Sequence, residues 1–141
     1  MKIKFPVIKN INQIKKFFRT KKLNYLIQQS ELKNQPNPLL KKTKVPYKPE
    51  LFDLYMLYQY VTLNKRTTIL EFGSGWSSLI FVKALNELKK KFSKNVKKLR
   101  RRNPFELFIL ENEKKFLLTT QKRIKKHYLK DKSNLVKIHY N

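Results

Sequence analysis

The chain has 141 residues, 40% of them hydrophobic, and a formal charge of +25 from 34 basic against 9 acidic side chains. That length supports one modest domain with a real core and is too short for two independent catalytic domains. With no cysteine in the sequence, a disulfide framework, a thiolate zinc site and a thiol nucleophile are all excluded; His127 and His139 stand apart without ligand-like neighbours, so no metal site is expected.

The first eighteen residues, MKIKFPVIKNINQIKKFF, break up their apolar positions with lysine and asparagine. They contain neither a long apolar run nor a small-residue cleavage site, and no segment of the chain is long enough to cross a bilayer, so a cytoplasmic protein is expected. Across residues 8–29 the apolar positions Ile11, Ile14, Phe17, Phe18, Leu23, Tyr25 and Leu26 follow a helical pattern interrupted by lysines, which predicts two short helices broken near Thr20. Residues 34–49 then hold Pro36, Pro38, Pro46 and Pro49 among lysines, the composition of an extended linker. A basic helical extension with its linker (1–48) and a second domain (49–141) are therefore expected. Pro49 suits the first turn of the next helix, whose Leu51, Leu54, Tyr55, Tyr58 and Val61 share one face.

The most informative stretch is residues 67–80, TTILEFGSGWSSLI. Ile69 and Leu70 lead to Glu71 as a buried strand would, Gly73 and Gly75 bracket a turn, and Leu79, Ile80, Phe81, Val82, Ala84, Leu85 and Leu88 recur as a helix requires. Glycines at a strand-to-helix turn admit backbone conformations closed to other residues and let a ligand approach, while the N–H groups of the helix start favour an anion. A helix from Ser77 to about Lys90, a strand over residues 105–110 ending in Glu111, a helix over 113–129 and a strand over 134–140 complete the pattern. The helix over 113–129 carries Phe116, Leu117, Thr120, Ile124 and Tyr128 on one face.

These residues resemble motif I of the class I S-adenosylmethionine-dependent methyltransferases, in which a strand ends in an acidic residue followed by G-x-G. Here the match is Glu71-Phe72-Gly73-Ser74-Gly75, and Glu111 falls where that family places a second acid, on the ribose hydroxyls. The resemblance spans residues 49–141. It implies a partial Rossmann-like α/β domain of about three parallel strands with flanking helices, preceded by an N-terminal helical segment. It further implies S-adenosylmethionine as cofactor, held by Glu71, Gly73, Ser74, Gly75 and Glu111. Glu71 would support the loop or the amino group of the cofactor's methionine portion. The family's sheet has seven strands, so an incomplete, truncated or split domain is expected, with an open edge at the first strand that invites self-association or docking of a missing half. No catalytic residue and no methyl acceptor can be named.

Other nucleotide-binding classes fit less well. The third glycine of a dinucleotide fingerprint is replaced by Ser78, against a nicotinamide or flavin enzyme, and the lysine-serine pair of a P-loop is missing, against an NTPase. Glu111 also lies farther along than the roughly 20 residues usual between such a loop and its ribose-binding acid. The lysine-rich residues 89–103 account for the excess as an insertion. Of the 34 basic residues 28 are lysine, spread along nearly the whole chain. Only the run KKLRRR over residues 97–102 gathers charge as nucleic-acid recognition would, and it lacks interleaved aromatics; the stretch from Lys89 to Arg102 is the candidate for a nonspecific nucleic-acid contact. A small basic RNA- or polyanion-binding module without catalytic activity is the alternative expectation.

Overall fold

The computed structural model describes residues 2–32, 48–97, 105–128 and 136–140. The proline-rich segment 34–47 and the arginine run at 100–102 lie outside the described residues, as does the stretch 129–135 between the last helix and the last strand. The described chain is mixed α/β, in the order α1 (Ile11–Thr20), α2 (Asn24–Ser30), α3 (Leu51–Leu63), β1 (Thr68–Phe72), α4 (Trp76–Val96), β2 (Glu106–Glu111), α5 (Lys114–Tyr128) and β3 (Val136–Tyr140).

The chain divides into two compact units, one made of Val7–Met56 and the other of Met1–Pro6 with Leu57–Asn141. In the first, Asn10 caps α1: its side chain accepts from the Gln13 N–H at 3.0 Å, and the Gln13 side chain accepts from the Asn10 N–H at 3.1 Å, satisfying two donors that the helix start leaves open. The break near Thr20 is made by Lys22, which takes a positive φ of 58°. The Leu23 N–H then donates back to the Phe18 carbonyl, and α2 begins one residue later. Ile14, Phe18, Leu23, Leu26 and Ile27 are buried. The Tyr55 hydroxyl donates to the Val7 carbonyl at 3.0 Å, and its ring meets Phe17 edge-on at 5.1 Å.

The remainder of α3 belongs with the sheet. Tyr58 donates to the Glu87 carboxylate of α4, and the Asn64 side chain pairs with both backbone groups of Lys4 at 2.9 Å each. The two units therefore part between Met56 and Leu57, inside α3, rather than at the expected boundary after residue 48. Residues on either side of that point have different partners. Pro49 also stands just outside the helix: α3 starts at Leu51, and its first backbone bond runs from the Leu54 N–H to the Glu50 carbonyl.

The three strands are parallel, in the order β1-β2-β3, with Thr68 opposite Glu106 and Leu107 opposite Val136. Helices α4 and α5 pack on β2 and on each other. Side chains alternate across a sheet, so one face holds the fully buried Leu107 and Ile109 with Glu71 and Glu111, beneath Leu79, Ile80, Val82 and Leu85 of α4. The other face carries Leu70 and Phe72, 56% and 79% exposed, in register with the half-buried Phe108 and Leu110. Helix α4 runs to Val96, beyond the expected end near Lys90, so the lysines from Lys89 to Val96 are helical rather than an inserted loop. Leu85, Leu88, Phe92 and Val96 continue its apolar stripe, and no residue in between breaks a helix. Among the described residues no helix is long and apolar enough to cross a membrane.

Candidate functional site at the strand ends

Glu71 and Glu111 stand at the same end of two neighbouring parallel strands, Glu71 one residue before the end of β1 and Glu111 closing β2. Beyond Phe72 the chain enters the glycine loop, and the Gly73 N–H donates to the Leu110 carbonyl at 2.7 Å, extending the ladder past the strand. Gly73 has a φ of +83°, in the region that disfavours a side chain, whereas Gly75 at −178° is extended. Nothing lies within 4 Å of where a Cβ would stand on either glycine, so the loop presents open backbone. Gly73→Ala is expected to lower stability by roughly 1–2 kcal/mol. Gly75→Ala should leave the thermal midpoint of the protein alone unchanged, and equal losses in the two variants would overturn this difference.

Glu71 is occupied by its own loop. The Ser77 hydroxyl donates to its Oε1 at 2.5 Å and the Ser78 hydroxyl to its Oε2 at 2.7 Å, while Ser78 Oγ accepts from the Gly75 N–H at 3.1 Å. The carboxylate is thereby tied to the start of α4. Burial pushes its pKa up; the two serine hydrogen bonds pull it down, the charge on Glu111 adds to the rise, and the net direction is upward.

Glu111 has the opposite balance. Burial again favours the neutral acid, but the Ser74 hydroxyl and the backbone N–H groups of Glu113, Ser74 and Asn112 outweigh it and hold the pKa below the ordinary carboxylate range. Ser74 Oγ donates to Oε2 at 2.7 Å and the Glu113 N–H to Oε1 at 2.9 Å. Ser74 thus joins the glycine loop to the acid at the end of β2, and Glu71, Gly73, Ser74, Gly75 and Glu111 form one cluster.

Three neighbours were not singled out as site residues by the sequence pattern. Ser77 and Ser78 hold Glu71 across the turn, and the Arg123 guanidinium of α5 stacks over the Trp76 indole at 3.7 Å from the ring centroid. This contact makes Trp76 a packing residue between α4 and α5. Among the described residues no group of three or more His, Cys, Asp or Glu side chains is placed to hold a metal ion. No family model, curated protein or solved structure matches the chain.

Proposed function

We propose that the cluster at the C-terminal ends of β1 and β2 is a half-site for S-adenosylmethionine in an incomplete methyltransferase-like domain with Rossmann-like strand order. The observation that carries this proposal is the pairing of Glu111, a buried carboxylate kept ionised, with Ser74 of a glycine loop open to solvent. A vicinal diol has two adjacent donors, and Glu111 offers an ionised acceptor at the end of β2. Gly73 and Gly75 would allow the methionine portion to lie against bare backbone, and Glu71 would keep that backbone in place through Ser77 and Ser78. Parallel strands in the order β1-β2-β3, with helices on one face, agree with half of a doubly wound sheet.

The cofactor supplies an activated methyl group on its sulfonium. The protein has mainly to align it with an acceptor, so the lack of an acid-base dyad in the cluster is compatible with methyl transfer. Within this proposal, the β1 edge and the exposed Leu70 and Phe72 are where the rest of the cleft would dock, from a further protein segment or a second copy of the chain. Calorimetric titration of the folded chain with S-adenosylhomocysteine is the test, in enough salt to screen the lysines. Saturable binding supports the half-site; no binding by a chain with an intact circular dichroism spectrum would overturn it.

A further inference from the structure

The opposite end of the sheet carries a second concavity. Leu88, Phe92 and Val96 of α4 and Phe105 before β2 wall a cavity of about 300 Å³. Its rim is polar, from Lys65 and Thr67 ahead of β1 and Asn95 of α4, and among the described residues no carboxylate lines it. The rim is held in a specific backbone geometry: Lys65 and Phe105 have positive φ values of 50° and 73°, and the N–H groups of Phe105 and Glu106 both donate to the Thr67 carbonyl. Such conformations are uncommon for non-glycine residues, above all bulky ones, and persist where surrounding structure enforces them.

Charge converges on the same place. Lys65 Nζ stands 5.0 Å from the centroid of the Phe92 ring and Lys91 Nζ 5.5 Å from it. Lys89, Lys94 and Lys97 are exposed on the same stretch of chain. Phe92 lies among these lysines in the sequence and beneath two ammonium groups in the fold, and Phe105 adds a second aromatic to the cavity wall. A pocket of small-molecule size with aromatic walls and a cationic rim suits a flat ring carrying negative charge on its tether. We propose that this end of the domain binds single-stranded nucleic acid, with one base entering the cavity against Phe92 and the adjoining phosphates lying along the lysines of α4. A duplex keeps its bases stacked inside and could offer only phosphates. Along α4 from Trp76 to Phe92 the separation is roughly 24 Å at 1.5 Å per residue, so this site is independent of the glycine loop.

Lysine is abundant throughout the chain, so the test must separate place from total charge. A labelled single-stranded DNA of about ten nucleotides, within the span covered by small single-strand-binding folds, is titrated by fluorescence anisotropy beside an abasic strand of equal length. The base-bearing strand is expected to bind at least about tenfold tighter, and Phe92→Ala to remove that preference while leaving abasic binding unchanged. A quadruple serine variant of Lys89, Lys91, Lys94 and Lys97 should lose far more affinity than one of Lys2, Lys4, Lys16 and Lys48, which lowers the net charge equally. Circular dichroism confirms that each variant is folded. Equal binding of the two strands, equal losses in the two quadruple variants, or displacement by inorganic polyphosphate as effective as by the base-bearing strand would each overturn the proposal in favour of nonspecific charge.

Discussion

Glu111→Ala is expected to weaken S-adenosylhomocysteine binding on the order of 100-fold, while Ser74→Ala changes it by no more than about threefold. The difference follows from what each side chain would do. Hydrogen bonds to a charged partner contribute about 1.5–3 kcal/mol each, and the ribose would lose its only proposed ionised acceptor with Glu111. Ser74 donates to that acceptor at 2.7 Å but is not itself the proposed ribose partner. Its removal even frees a lone pair on Oε2. Glu111 also receives the Glu113 N–H at 2.9 Å, so alanine there loosens the entry to α5 as well. Thermal denaturation of both variants separates that effect from binding, and Glu111→Gln, which keeps the shape and loses the charge, provides an intermediate. Equal losses for Ser74→Ala and Glu111→Ala in folded protein would show that the loop's organisation, rather than ribose acceptance, governs affinity.

Much of this architecture is legible in the sequence because apolar spacing and punctuation agree there. Leu51, Leu54, Tyr55, Tyr58 and Val61 announce one face of α3, and all five are buried. The acid-glycine succession after a β-like run places the end of β1 correctly, and both expected acids reach the same end of the sheet. The C-terminal half of α4 is harder to read because lysines outnumber the residues that pack. Phe92 and Val96, four apart, are the sparse continuation of a stripe already set by Leu85 and Leu88. The boundary inside α3 is hidden for a different reason: a helix has no compositional break where its partners change from one unit to another.

The site is legible only in part. Its acids and glycines are visible because local backbone chemistry requires them at the end of a strand. The anchoring of Glu71 by Ser77 and Ser78 depends on the chain reversing so that residues six and seven positions later return to the carboxylate. No helical or strand period brings such positions together. Arg123 over Trp76 and the aromatic-walled cavity between the chain before β1, α4 and the chain before β2 are products of tertiary packing, with partners far apart in sequence. A sheet of parallel strands ordinarily has both faces covered, and here the exposed Leu70 and Phe72 mark a face that helices α4 and α5 do not reach.

Stability should depend on pH in opposite senses through the two carboxylates. Glu71 has a folded-state pKa raised above its ordinary value of 4.5, chiefly by burial, so its stabilising contribution is complete below that value and is lost as pH rises through the folded pKa. Glu111 has a folded pKa lowered below 4.5, so its contribution is present above that value and is lost as pH falls through the folded pKa. Glu71→Gln is therefore expected to match or exceed the native protein in stability at neutral pH, with the advantage disappearing toward pH 4.5. The amide can still accept from one serine and donate to the other, so the link to α4 survives. Glu71→Ala, by contrast, removes both interactions and strands hydroxyls at the helix start, so it should cost about 2–3 kcal/mol near pH 4.5 and less as pH rises and the contribution of Glu71 is lost. Glu111→Gln should also flatten the neutral-side decline, because the charge on Glu111 contributes to raising the Glu71 pKa. Urea unfolding of the three variants across this range decides the matter: if the Glu71→Gln stability curve runs parallel to that of the native chain, Glu71 titrates alike in folded and unfolded protein, and its burial does not control its charge.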